Sequence, residues 1–361
     1  MKKILLFAIL APVLFVASFF AVYMVMSGME TSDSVRVVTD EDKSADDGVE
    51  ITISAVGDCT LGSDISFGTG GTFDSEFAAR GNDYSYFLSG VKEFFEKDDI
   101  TIVNLEGPLS ERGERADKEF AFRGRSDYAK ILSSSSVEAA NIANNHSMDY
   151  GMTAYEDTIQ NLEGNGIAAF GSDTIRVVET KGIRVGLIGT SALNTTQRTN
   201  FGTNMEKLKA MKPDIIVASF HWGAEKAIKA NSDQIVLAHN AVDMGADLVI
   251  GHHPHVLQGI EKYKGKYIVY SLGNFCFGGN KSPGDVDTMI FSQTFTFRNG
   301  TLTSDENVWA YPCYVSSEAG RNNYRPVPAS ADDLKRIIKK ISSRSSDYEG
   351  VENVNFAIDI K

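Results

Sequence analysis

The chain is 361 residues long, 42% hydrophobic and 10% aromatic, with a formal net charge of −13. That is enough apolar material for one large core or two smaller ones, and it excludes a wholly disordered chain. The acidic balance offers no basic footprint for nucleic acid, so no nucleic-acid partner is expected, and a polyanion would have to be drawn by local features such as a metal.

After Met1, Lys2 and Lys3 comes "ILLFAILAPVLFVASFFAVYMVM", uncharged from Ile4 to Met26 and about the 20 residues needed to cross a bilayer's hydrocarbon. A cleaved signal has an apolar core of about 7 to 15 residues followed by small residues. This run is longer and ends on Tyr23, Met24 and Met26. Residues 1–26 are therefore expected to be an uncleaved, single-pass anchor that meets the cell membrane through residues 4–26. The lysines stay inside by the positive-inside tendency, which puts the rest of the chain on the outer face. Residues 27–50 are polar and acidic, with Arg36 and Lys43 the only bases, and read as a self-repelling, extended linker.

From Ile51 the chain takes up a rhythm of short Ile- and Val-rich runs that end in polar turns. "ITISAV" leads into Gly57 and Asp58, "DITIVN" into Leu105 and Glu106, and "VEAANIA" into Asn144, Asn145 and His146. Further on, "DIIVASF" leads into His221 and "ADLVI" into Gly251 and a histidine cluster. Such runs are the signature of strands buried on both faces. Helical spacing appears over 153–166 and over 232–246, the latter starting with a Ser cap and ending at Gly245. Strand, helix, strand is an α/β layered architecture. "KYIVYSLGNF", "DTMIFSQTFTF" and "GTLTSDENVWAY" read as later strands, and "ADDLKRIIKKI" as a final helix. The three cysteines, Cys59, Cys276 and Cys313, are too few for a disulfide framework or a thiolate zinc site. They read as small apolar fillers, with at most one disulfide among them.

In sheets of this kind ligands bind outside the carboxyl ends of the strands. Five strand ends here carry Asp, Glu, Asn or His, each of which alone could be an ordinary turn residue. The cluster at His252, His253 and His255 is a stronger signal, because it holds three of the chain's six histidines. Imidazoles crowded beside a buried strand need partners, and a divalent cation accepts imidazole nitrogen and carboxylate oxygen together. His239, in a helix body, reads as structural.

"AVGDCTLG", "IVNLEGPL", "ANNHSMDYG", "FHWGAE", "DLVIGHHPHVLQGIE" and "YSLGNFCFG" resemble, in order and spacing, the motifs of the CapA family of bacterial capsule or poly-γ-glutamate synthesis proteins. The resemblance runs from about Ile51 to Gly278 and continues weakly beyond. That family is similar to the calcineurin-like metallophosphoesterases, which implies an α/β sandwich of two mixed β-sheets flanked by helices, with metal at the strand ends. It implies a main domain over 51–300 and a C-terminal extension, 301–361, completing it. Asp58, Glu106, Asn145, His221, His253 and His255 would be metal ligands, His221 and His253 serving one ion and His255 the other. His146 would be the general acid or charge-stabilising donor. Asn104, Asp149, Glu225 and Asn274 would stand behind them, and His252 would turn elsewhere. The related phosphoesterases usually carry a histidine where this chain has Thr60, and an aspartate where it has Glu106. One or two divalent ions, of Mn, Zn or Fe, are thus the expected cofactor. The implied function is polymer assembly, export or attachment; a metal-dependent hydrolase of a phosphoester or amide, or a noncatalytic scaffold, are the alternatives. Implied partners are other membrane proteins of capsule synthesis, an amide ligase and a small integral membrane protein among them, and the polyanionic polymer itself.

Overall fold

Strand β1 (Val49–Thr60) sets the plan of the molecule. Ile51, Ile53 and Ala55 enter one apolar core and Val56 the other, as the period of two in an extended chain requires, and a register shift between Ala55 and Asp58 then sends Cys59 into the same core as Val56. Of the whole chain the structure, a computed structural model, describes residues 48–357 and 359. The expected anchor and nearly all of the expected linker lie outside the described residues. Among those described, no helix is long and apolar enough to cross a membrane. Val49 and Glu50, counted from composition with the linker, already belong to β1.

The other strands follow in order as β2 (Ser63–Asp64), β3 (Ile100–Leu105), β4 (Phe122–Arg123), β5 (Ala139–Asn141), β6 (Ala168–Phe170), β7 (Arg176–Thr180) and β8 (Ile183–Ser191). Next come β9 (Ile215–His221), β10 (Leu248–His252), β11 (Ile260–Tyr263), β12 (Lys266–Val269) and β13 (Asn274–Phe277). The last are β14 (Asp287–Arg298), β15 (Thr301–Tyr314), β16 (Val327–Pro328) and β17 (Asn355–Phe356). One sheet of nine strands runs β16-β15-β14-β1-β3-β5-β6, with β13 beside the end of β1 and β17 beside β15. A second, of six, runs β11-β12-β10-β9-β8-β7, and β2 with β4 makes a small ribbon. Both large sheets are mixed. Strands β1, β3, β5 and β6 are mutually parallel, as are β8, β9, β10 and β12, whereas β14 is antiparallel to β1 and β7 to β8.

The two sheets share a core: Ile51, Ile53, Ile100 and Ile102 of the first meet Val185, Leu187, Val217, Leu248 and Ile250 of the second. Each such side chain, fully buried, contributes about 1.5–3 kcal/mol. Outside the first sheet pack helices Phe73–Ala79, Ala129–Ser133 and Gly151–Glu163, through Phe73, Phe77, Ile131 and Leu162. Outside the second pack Thr195–Ala210 and Ser232–Asp243, through Phe201, Met205, Ala238 and Ala241. The helix Ser232–Asp243 is capped by Asn231 in a reciprocal box with Gln234, not by Ser232. The final helix, Ala331–Arg344, inserts Ile337 and Ile341 into the core between the sheets. "KYIVYSLGNF" is two short strands rather than one, β12 and β13, separated at Gly273, whose φ is +74°. All three cysteines are buried and free.

Because the central strands of each sheet are parallel, their carboxyl ends reach one edge. Close backbone approach there allows no side chain at two motif glycines. A Cβ on Gly57 would stand 2.2 Å from the Gly273 carbonyl oxygen, and one on Gly251 would stand 2.1 Å from the Tyr270 carbonyl oxygen and 2.6 Å from Trp222 Nε1. The latter two atoms are hydrogen-bonded at 2.9 Å. Gly251→Ala must therefore prise β10 from β12, and it is expected to cost about 1–3 kcal/mol or more. A guanidinium denaturation midpoint equal to that of the parent would contradict this packing.

Candidate metal centre

Asp58 stands two residues before the end of β1, its carboxylate fully buried. Register places it opposite Asn104 of β3 and Asn274 of β13. Asn104 Nδ2 donates to Asp58 Oδ1 at 2.9 Å, and Asn141 Nδ2 in turn donates to Asn104 Oδ1 at 3.0 Å. From the second sheet, the His253 backbone N–H donates to Asp58 Oδ2 at 3.2 Å, and His255 Nδ1 lies 3.1 Å from the same oxygen. His255 Nδ1 also faces Asn274 Oδ1 at 2.9 Å. With oxygens on both sides, Nδ1 carries the proton, and Nε2 is the nitrogen left for a ligand. Burial alone would raise the Asp58 pKa, but the close approach of the His252 and His255 rings outweighs it and holds the carboxyl well below its ordinary range. Burial would lower that of His255, yet Glu106 and Asp58 push it up to about 9, so a cation taken up at Nε2 would have to displace a proton from it.

The loop after β10 is strained. His253 and His255 have φ of +94° and +57°, in a region that non-glycine residues occupy at a cost of about 1–3 kcal/mol and mostly at functional sites. The neighbouring His252 is 1% exposed, and its Nδ1 lies 3.4 Å from Asp58 Oδ1. Neither of its ring nitrogens makes a hydrogen bond. It thus faces Asp58 instead of turning elsewhere, because it ends β10 in register with His221.

Glu106 follows β3 and is 1% exposed, and neither carboxylate oxygen has a hydrogen-bond partner. Burial and the charge of Asp58 raise its pKa well above the usual carboxylate range. His221, at the end of β9, sets Nε2 3.8 Å from Glu106 Oε1 and 2.7 Å from Asn145 Oδ1. Burial, then the charge of His253, keeps His221 well below its ordinary value. Burial likewise takes His253 down to about 4, so both rings are neutral and able to act as ligands.

Donor atoms therefore fall into two groups, each within 4.8 Å: Asp58, Glu106 and His221 in one, Glu225, His253 and His255 in the other. His253 sits in the second group, where the family resemblance paired it with His221, although the two rings are 4.7 Å apart. Glu225, an exposed residue expected only behind the ligands, stands among them. The donors fit a divalent cation. Two bare oxygens on Glu106 and an unpartnered His253 Nδ1 are costly unless something positive and multivalent answers them. Thr60 is buried with its Oγ1 unpartnered, and it brings a hydroxyl where an imidazole would add a ligand.

His146, 6% exposed, lies beside this edge. Its Nδ1 is 2.7 Å from Asp149 Oδ2, which also accepts from the Phe122 backbone N–H at 2.6 Å. Lys118 Nζ donates to Asp149 Oδ1 at 2.7 Å and to the Asn145 carbonyl at 3.0 Å. Burial lowers the His146 pKa and Asp149 only partly restores it. Lys118 was not legible in the sequence, since it sits in a charged stretch, "ERADKEF", that reads as ordinary solvated loop.

A sequence profile described as "Bacterial capsule synthesis protein PGA_cap" matches residues 52–279. The chain is 28% identical over 295 residues to the PGA biosynthesis protein CapA of Bacillus subtilis (strain 168), covering 75% of this chain and 74% of that protein. It is 30% identical over 257 residues to the capsule biosynthesis protein CapA of Bacillus anthracis, covering 63% of this chain and 60% of that protein. Among solved structures, a hypothetical protein from Thermus thermophilus aligns over 73% of this chain and 98% of its own, with 14% identity and a TM-score of 0.43.

Two outcomes are expected from this geometry. Metal analysis of the chain reconstituted with Mn or Zn should find about one to two equivalents, lost when His253 and His255 are both changed to Ala; a folded chain that takes up none would contradict it. In chelator the bare Glu106 carboxylate is a liability. A carboxyl whose folded pKa is raised loses stability as pH climbs above its ordinary value of 4.5. Glu106→Gln should therefore stabilise the metal-free chain at pH 8 by about 1–3 kcal/mol, much less at pH 4, and should weaken the metal-loaded one. Destabilisation of the metal-free chain at pH 8 would show that Glu106 already has a partner.

Proposed function

The chain belongs to the bacterial capsule synthesis protein family PGA_cap, and from that premise we propose that it serves capsule or poly-γ-glutamate synthesis through a divalent-metal centre. The domain is held outside the cell membrane by residues 4–26, where it acts on assembly, export or attachment of the polymer, beside other proteins of the same synthesis. The observation that carries this reading is that the matched span, 52–279, contains all of the buried donor residues described above. The arrangement of two mixed sheets with helices outside and donors at the strand ends supports a calcineurin-like metallophosphoesterase sandwich as the framework.

Asp58, Glu106, His221 and Asn145 would hold one ion, and Glu225, His253 and His255 a second. A divalent ion there polarises a phosphoryl or carbonyl oxygen and lowers the pKa of a water molecule. The chain's own residues supply the rest. Asn104 and the His253 amide fix the Asp58 carboxylate, and Asn274 fixes the His255 ring, so the donors are preorganised rather than gathered at the moment of reaction. Asp149 orients His146 through Nδ1 and leaves Nε2 as the nitrogen that takes or gives a proton. Lys118 neutralises Asp149 and keeps that carboxylate from competing for a cation. The His146 and Asp149 pair favours a second, narrower reading: hydrolysis of an amide or phosphoester within a cell-envelope polymer. Thr60 favours the opposite one, a scaffold in which one metal position is idle.

Deletion of the coding sequence in its host should abolish or strongly reduce surface polymer, and the parent chain should restore it. A His253→Ala, His255→Ala chain that reaches the membrane at parental level should fail to restore it. Full restoration by that variant would remove the metal centre from the function, and unchanged polymer in the deletion strain would remove the function itself.

A further inference from the structure

The outer face of the nine-stranded sheet changes character towards the beginning of β1. From Val56 onward and under the helices this face is apolar, carrying Val56, Val103, Leu105 and Ala140. Over Thr52 and Ser54 it becomes a row of hydroxyls. Strand register sets Ser54 beside Ser292 and Ser292 beside Trp309, and in the next row Thr52 beside Thr294 and Thr294 beside Asn307. The intervening residues Ile51, Ile53, Phe291, Phe295, Val308 and Ala310 all enter the core between the sheets. These polar rows are therefore a property of one face only.

The rows floor a cleft of about 340 Å³, walled by Phe94, Asp98, Trp309 and Tyr311, at the small end of the range for ligand pockets, roughly 300–1,000 Å³. Its residues are not simply solvated. Ser54, Ser292 and Thr294 are 2%, 8% and 8% exposed. Ser54 Oγ donates to Ser292 Oγ at 3.2 Å, and the Thr52 and Thr294 hydroxyls are 2.9 Å apart. Ser54 also reaches the Asp98 carboxyl, whereas the Thr52 and Thr294 pair spends one proton on its own bond and keeps one proton and spare lone pairs for another partner. Asp98 Oδ2 accepts from Thr101 Oγ1 at 2.8 Å, and Ser54 stands beside the same carboxyl. Burial raises that carboxyl to about 8, so at neutral pH it is an uncharged group able to donate as well as accept.

Above the hydroxyls stands a flat apolar wall. The rings of Trp309 and Tyr311 are 6.1 Å apart and within 11° of parallel, and Phe94 meets Tyr311 edge-on at 5.0 Å. Trp309 Nε1 donates to Asn307 Oδ1 at 2.9 Å, which aims the amide and leaves its NH2 group for a ligand. Lys97 at the rim is paired with Glu93 at 2.9 Å, so among the described residues the cleft has no uncommitted cation for an anionic polymer.

A flat aromatic wall, a dense edge of neutral donors and acceptors, and no free charge together match one ligand chemistry. A pyranose ring presents an apolar C–H face and an equatorial rim of hydroxyls. We propose that the cleft between Trp309 and the Ser54, Ser292, Thr52 and Thr294 hydroxyls binds an uncharged saccharide ring, separately from the metal centre. Ser54 lies about 13 Å along β1 from Asp58 at the rise of an extended strand, so this second site would hold the domain against an envelope glycan while the strand-end edge works on its own substrate.

The test is saturation-transfer NMR on the full chain in detergent, with triacetylchitotriose and maltotriose as probes. Saturable transfer to ring C–H protons is expected, at the millimolar affinity of a shallow polar site, about −4 kcal/mol. A response to triacetylchitotriose alone identifies an acetamido sugar, and one to maltotriose alone a plain hexose. Trp309→Ala should abolish the response, and Trp309→Phe should retain part of it. Asn307→Ala, a change on the exposed rim, should weaken it severalfold even if the tryptophan variants fold poorly. Metal content should stay at the parental level in all three, which separates this site from the strand-end centre. No saturable transfer from either sugar, or full transfer surviving Trp309→Ala in a folded chain, overturns the proposal.

Discussion

A carboxylate cannot be left alone in a protein interior, and the rest of this structure is arranged around answering Asp58. The group is fully buried near the end of β1. Uncompensated, such a charge costs several kcal/mol. The answer comes from both sheets at once: Asn104 from the first, the His253 amide and the His255 ring from the loop after β10 of the second. The sandwich closes at this edge only if those groups arrive together. That explains why His253 and His255 accept unfavourable backbone angles. Strain at the loop and compensation at the carboxylate are two sides of one arrangement.

The same arrangement leaves a deficit. Glu106 and His253 keep buried polar atoms with no partner among the described residues, while Asn104 and the His253 amide are committed to Asp58. Proteins rarely tolerate such atoms without a ligand. The carboxyl-terminal part of the chain secures the frame near the same strand ends. Arg336 grips Asp287 at the start of β14 through two hydrogen bonds of 2.6 and 2.8 Å, and Lys340 holds Asp285 at 2.9 Å. With Ile337 and Ile341 filling the space between the sheets, this helix is part of the core rather than an appendage.

Much of this was legible in the sequence where one physical rule dominates. Runs such as "DIIVASF" and "ADLVI" are apolar because both faces of a central parallel strand are covered, and their polar successors fall at strand ends by necessity. The layered α/β class follows from those runs. What escaped was of two kinds. The helix Thr195–Ala210 carries its buried apolar side chains, Phe201, Met205 and Leu208, only beyond a polar first turn and a half, with polar residues between them, so its apolar stripe is short and faint in the sequence. The grouping of His253 with His255 and Glu225, and the presence of Lys118 beside Asp149, depend on loop conformation. Spacing along the chain carries no information on how a left-handed turn at His253 aims the following ring. The hydroxyl rows of β1 and β14 were hidden for a related reason: Thr and Ser in a strand read as ordinary outward positions until register shows them side by side.

The two donor groups at the strand-end edge could each hold a divalent cation. Anomalous diffraction from crystals grown with Mn, collected on both sides of its absorption edge, tests it most directly. Anomalous density is expected among Asp58, Glu106 and His221, among Glu225, His253 and His255, or at both. Well-ordered side chains with no anomalous density at either group, or with Glu106 satisfied by a protein donor or a sodium ion in its place, would contradict it.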